Sequence, residues 1–121
     1  MDAVGKKGED AAALWLTGKG QTVLERNWRG GHCEIDLITA DGNGLHFVEV
    51  KSRKAPVAAD PLVNVTAAKQ KNLVKAALKY LHSAGRKFAD AEVYFDVVTV
   101  VFEDNTTYIQ YYPQAFIPIY D

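Results

Sequence analysis

Glu34-Ile35-Asp36-Leu37-Ile38-Thr39-Ala40-Asp41-Gly42-Asn43-Gly44-Leu45-His46-Phe47-Val48-Glu49-Val50-Lys51 is two apolar runs around a four-residue turn. Asp41-Gly42-Asn43-Gly44 is a strong hairpin signal, because Gly and Asn accept the left-handed backbone that tight turns demand. Residues 34–40 and 45–52 therefore read as paired antiparallel strands. With Ala40 opposite Leu45, Ile38 faces Phe47, Asp36 faces Glu49 and Glu34 faces Lys51. Side chains alternate along a strand, so Phe47, Glu49 and Lys51 share one side of theirs, and Glu34, Asp36 and Ile38 one side of the other. The neighbours Ile35, Leu37, Phe47, Val48 and Val50 are apolar, which puts this hairpin in the core.

The rest of the chain is read outward from that hairpin. Residues 5–19 predict a helix with Ala12, Ala13 and Leu16 on one face and Trp15 beside them, stopped by Gly18 and Gly20. Residues 22–28 predict a strand, turned by Gly30-Gly31. Residues 53–65, with Pro56 and Pro61, predict a loop. Thr66 can cap a helix running to about Ser83 and ended by Gly85. Val93 to Phe102 is a long β-branched and aromatic strand, Asp104-Asn105 a turn, and Thr106 to Tyr112 a last strand. The order is α-β-β-β-α-β-β. A strand, a long helix and a further apolar strand make a right-handed parallel crossover. A meander feeding such a crossover predicts one α/β domain, residues 1–121, with a mixed central sheet flanked by helices.

The chain has 121 residues, 48% of them hydrophobic and 24% charged, which is a globular composition. Its one cysteine, Cys33, excludes an internal disulfide framework and a zinc ribbon. No apolar run approaches the ~20 residues of a membrane span. Met1 to Asp10 is charged and lacks the apolar stretch of a signal peptide. A soluble cytoplasmic protein is the expectation. The net charge of −1 hides a division. Residues 46–90 carry nine basic and three acidic side chains, whereas 91–121 carry none and five. A concentrated basic middle suits a polyanion, or is simply a solvated surface.

Two carboxylates opposite each other on a sheet repel, and partial burial makes ionisation costlier still. Asp36 and Glu49 are retained either because a hard divalent cation takes their oxygens, or because Lys51 neutralises them in a structural ion cluster. Glu9 extends the inward stripe of the first helix, and either complements the helix dipole at its start or aims at the same site. Gln70, at the start of the second helix, reaches the sheet face or solvent. That helix buries Leu73, Ala77, Tyr80 and Leu81. Its other side stacks Lys71, Lys75 and Lys79 with Lys69, His82 and Arg86 nearby, a ladder that suits phosphates or is a solvated face. Asp96, in mid-strand, pairs with a buried cation or backbone donor, or lies near the site. His32, His46 and His82 show neither metal-ligand nor triad spacing, and Cys33 reads as an inert small residue.

These residues form a recognisable series. Asp36 followed by Glu49-Val50-Lys51 resembles the PD-(D/E)xK signature of restriction-endonuclease-like nucleases, and the element order resembles their αβββαβ core. Gly8-Glu9 with Ala12, Arg26-Asn27-Trp28-Arg29, Glu34 to Ile38, Phe47 to Arg53, Lys69-Gln70-Lys71 and Phe95 to Val98 resemble the YraN family, which is similar to Holliday junction resolvases. The family usually has Gly where this chain has Cys33. The resemblance implies Mg²⁺ or Mn²⁺ held by Asp36, Glu49 and the carbonyl of Val50. Lys51 would orient or activate the attacking water, Glu9 would be an additional acidic ligand or hold a water, and Gln70 would line the site. Arg29, Arg53, Lys69, Lys71, Lys75 and Lys79 would contact nucleic acid. The implied reaction is metal-dependent hydrolysis of phosphodiester bonds in DNA rather than RNA, including branched DNA, for which a homodimer would suit two symmetric cuts. The other readings are a nucleic-acid-binding module of nuclease-like fold without turnover, and an interaction domain using the aromatic tail from Tyr108 to Tyr120.

Overall fold

In the computed structural model, which describes residues 3–56 and 63–119, a single five-stranded sheet runs in the order β1-β2-β3-β4-β5. The elements are α1 (Ala3–Gly18), β1 (Thr22–Gly30), β2 (Cys33–Asp41), β3 (Gly44–Lys54), α2 (Ala67–Leu81), a short 3₁₀ turn (Arg86–Phe88), β4 (Val93–Glu103) and β5 (Thr106–Tyr112). β3 and β4 are parallel, and the other neighbours are antiparallel. The sheet is therefore mixed, as the strand–helix–strand crossover requires. Among the described residues, no helix is long and apolar enough to cross a membrane.

The hairpin register is the one read from the sequence, with Ala40 opposite Leu45 and Ile38 opposite Phe47. Asp41 Oδ1 accepts from the backbone N–H of Asn43 and Gly44, at 2.9 and 3.2 Å, and so closes the turn. β3 extends past the expected loop start. Arg53 and Lys54 pair with Val101 and Phe102, and Ala55 N–H still bonds Phe102 O at 2.8 Å just before Pro56. The remainder of the expected loop falls largely outside the described residues, since 57–62 are not among them. β1 likewise runs on to Gly30, because Arg29 and Gly30 pair with Glu34 and Cys33.

Each helix covers one face. α2 is capped by the Thr66 side chain, which accepts from Lys69 N, and buries Leu73, Val74, Ala76, Ala77 and Tyr80 against Ile35, Ile38, Phe47 and Phe95. α1 buries Ala12 and Leu16 against Leu37, Val48, Val98 and Val100. Gly8 sets the depth of α1. A Cβ there would stand 1.6 Å from Ser52 Oγ, so only glycine lets the helix lie this close to β3. That closeness carries Glu9 toward the middle of the sheet.

Candidate metal and nucleic-acid site

The β2–β3 ladder stops at Leu37–Val48, one step before Asp36 would pair with Glu49. Ile35 and Ile38 both join the α2 side of the core, while Leu37 joins the α1 side. The strict alternation expected for Glu34, Asp36 and Ile38 therefore slips at Asp36. Asn27 lies across β1 from this slip, between the pairs Arg26–Leu37 and Trp28–Ile35, and has a φ of 52°, rare for a residue with a side chain. Where the strands part, the Asp36 carboxylate replaces backbone: its Oδ2 accepts from Val50 N–H at 2.8 Å.

Asp36 and Glu49 do meet, by side chain rather than by ladder. Burial, the hydrogen bond to Glu49 and the Glu49 charge push the Asp36 carboxyl up to about 8 from 3.8, against the opposing pull of Val50 N–H and Lys69. Glu49 is 8% exposed. Its cation is Lys69, with Nζ 3.6 Å from Oε2, and not Lys51. The expected Glu34–Lys51 pairing is not formed. Lys51 Nζ donates to Asn64 O at 2.7 Å, and Glu34 pairs with Arg29 at 3.1 Å, because the slip at Asp36 turns Glu34 away. Gln70 Nε2 donates to Val65 O at 2.9 Å, beside the Asn64 carbonyl that Lys51 holds.

Glu9 lies in the second turn of α1, near Asp36, and not at a frayed helix start. It is 6% exposed. Burial and the Asp36 charge raise its carboxyl above the usual range, while a hydrogen bond from Asn27 and the Arg26 charge pull it down. Its Oε1 is buried without a hydrogen-bond partner, as is Asn27 Oδ1. Among the described residues, no three Asp, Glu, His or Cys side chains gather closely enough to cage a metal ion by themselves.

The basic ladder of α2 is divided in use. Lys71 and Lys75 are exposed. Lys79 reaches back to Gly30 O at 3.2 Å and ties α2 to the end of β1. Arg53 is exposed at the end of β3.

A second polar cluster, on the α1 side of the sheet, was not legible in the sequence. His46 Nδ1 lies 2.7 Å from Asp96 Oδ2 and Nε2 lies 3.0 Å from Asp41 Oδ1. Only the imidazolium donates to both. Burial opposes its charge, but the bonds and charges of Asp96 and Asp41 outweigh that and raise its pKa. Asp96, 1% exposed, also accepts from Tyr111 Oη and, at 2.9 Å, from Gln114 N–H. Gln21 donates to Tyr111 and accepts from Thr39. Asp96 thus pairs with both a buried cation and a backbone donor, and holds the C-terminal tail to the sheet. The mid-strand acid was the one local signal of this cluster.

The fold and site together define a mixed α/β protein with a close pair of carboxylates, Asp36 and Glu49, where its central hairpin opens. The uncharacterised protein family UPF0102 matches residues 8–100, and the chain belongs to that family, the one its motif series resembles under the name YraN. A UPF0102 protein of Lawsonia intracellularis is 39% identical over 113 residues, which is 93% of this chain and 84% of the relative. One from Chlorobium chlorochromatii is 45% identical over 97 residues, 80% of this chain and 73% of the relative. One from Bacteroides thetaiotaomicron is 39% identical over 116 residues, covering 95% and 93%.

Proposed function

We propose that this protein is a restriction-endonuclease-like nuclease that hydrolyses phosphodiester bonds in DNA, including branched DNA, with Mg²⁺ or Mn²⁺. The observation that carries the reading is the Asp36–Glu49 pair, two carboxylates pressed together although they repel, with a third buried carboxylate, Glu9, leaving an oxygen unpartnered. The donors suit a hard cation that keeps several of its own waters: Asp36, Glu49 and the carbonyl of Val50 would hold it, with Glu9 holding one of those waters rather than completing a three-carboxylate cage. Such a cation would polarise the phosphate and acidify its water.

The chain's own side chains do the remaining work. Val50 N–H fixes the Asp36 carboxylate and so sets its direction. Lys69 neutralises part of the Glu49 charge. Lys51, anchored on the segment before α2, holds the attacking water beside the phosphate, and Gln70 lines the same edge. Lys69, Lys71 and Lys75 on α2, with Arg29 and Arg53, contact phosphates, which position a nucleic acid without reading its sequence. Lys79 contributes through its tie to β1.

The test is incubation of branched, single-stranded and duplex DNA with Mn²⁺, using the wild type and Glu49→Gln. Cleavage by the wild type alone is expected. Binding without cutting on every substrate would favour a nucleic-acid-binding module without turnover. Equal cutting by both proteins would remove the site. Sedimentation of the active species reads whether two copies act together on symmetric strands.

A further inference from the structure

We propose that the sheet face running from Lys51 and Arg53 across β4 to β5 is a platform for unpaired nucleotides, with a base stacked on Tyr108 and phosphates held from the β3 side. The inference rests on the nuclease reading above and names the form of strand that site would receive.

The ladder carries the argument. β3 pairs with β4, and β4 with β5, so the register aligns Lys51, Thr99 and Gln110 in one row and Arg53, Val101 and Tyr108 in the next. Alternation puts both rows on the side of Phe47, Glu49 and Phe95, which is the α2 side. α2 itself lies over β1 and β2. The described chain after β5 crosses this side at Phe95, where Phe116 packs and Ala115 N–H bonds Phe95 O, and runs on to Ile119 beside Ala67, Gln70 and Val74. Beyond that crossing the face opens toward Arg53 and Tyr108, while Thr99, between Lys51 and Gln110, stays buried. Arg53 and Gln110 are exposed, Tyr108 is 53% exposed, and Val101 is half-buried. A cleft of about 680 Å³ at the β5 edge has Thr99, Val101, Tyr108 and Gln110 in its wall, and reaches round that edge to Trp15 and Ile109 on the α1 side.

One occupant fits. The rows begin two residues beyond Glu49 on the same strand, so the face is continuous with the carboxylate site. The side nearest that site is cationic, and the far side presents an aromatic ring. Phosphates at one edge and a ring for a base at the other are the two needs of a single strand lying on a sheet. In a duplex the base faces are already stacked and cannot use Tyr108. Glu103 closes the end of the cleft and repels an anionic backbone, which keeps the phosphates on the Lys51–Arg53 side.

Fluorescence anisotropy of a labelled single-stranded oligodeoxynucleotide and its duplex, in EDTA with the full chain, tests this. The wild type should prefer the single strand. Tyr108→Ala should weaken single-strand binding about five-fold or more, the range expected when one base stack is removed, and leave duplex binding unchanged. Tyr108→Phe should restore it, which separates stacking from a folding defect. Arg53→Ala should lower the salt slope by about 0.7 on the single strand, whereas Tyr108→Ala should not. Wild-type binding that ignores Tyr108, Phe and Ala variants equally impaired, or no single-strand binding at all would overturn the platform. Because metal is absent, the outcomes separate. Metal-dependent cutting without a Tyr108 effect overturns the platform alone, and Tyr108-dependent binding without cutting overturns the nuclease reading alone.

Discussion

Replacing Asp36 with Asn should make the metal-free protein more stable, and increasingly so as pH rises. The Asn side chain keeps an oxygen to accept from Val50 N–H and gains an amide that can donate to Glu49. The fold holds the Asp36 carboxyl up at about 8, against 3.8 for the free group. A raised carboxyl means that the folded protein prefers the protonated form. Between these two values the unfolded chain releases a proton that the folded protein keeps. Stability therefore falls with rising pH, by at most ~1.4 kcal/mol per unit. At pH 7 the ceiling is about 4 kcal/mol on that slope. Water penetration and relaxation of the half-buried carboxyl reduce the expected gain for Asp36→Asn to on the order of 1–2 kcal/mol. Urea melts of both proteins at pH 5 and pH 8 measure it. The Asn variant should lead at both pH values with equal m-values, and by clearly less at pH 5, which lies only a little above the free value of 3.8, than at pH 8. Mn²⁺ should stabilise only the wild type, by binding only its folded state. A variant destabilised by more than ~1 kcal/mol at both pH values, with no metal effect in either protein, would refute the reasoning and make Asp36 a structural partner.

Gly8→Ala should cost about 1–3 kcal/mol by overpacking against Ser52, and Ser52→Gly in the same chain should recover part of it in a thermal melt. The His46 imidazolium should titrate above 6.5 by NMR, so that its contribution is full below 6.5 and is lost as pH rises through the folded value; a midpoint below 6.5 would contradict the Asp41–His46–Asp96 assignment. Neutralising Lys71 and Lys75 together should shrink the salt slope of duplex binding by about one for each phosphate that no longer meets a lysine. Lys79→Ala should instead lower the melting temperature, since its ammonium holds Gly30 O.

The hairpin was legible because its signals are local. The Asp41–Gly44 turn fixes which residues oppose each other, and the apolar residues on both strands agree with that register. The crossover was legible from the order of a strand, a capped helix and an apolar strand. What local pattern could not supply was the slip at Asp36, where a side chain takes over a backbone hydrogen bond and alternation fails. The partner of Lys51 was hidden for the same reason, since Asn64 belongs to the segment leading into α2. The His46 cluster draws on Gln21, Thr39, Asp41, Asp96 and Tyr111, five positions spread along the chain, and no spacing rule joins them. Gly8 did carry a usable sign, because a glycine inside a helix costs about 1 kcal/mol relative to alanine and is retained where a backbone must come close.

The central claim is that Asp36 and Glu49 are held together for a divalent cation. Calorimetric titration of the wild type and Glu49→Ala with Mn²⁺, without nucleic acid, tests it most directly. The wild type should bind weakly, because phosphate oxygens would complete the coordination, and Glu49→Ala should show no site. Equal binding by the two proteins would contradict the account.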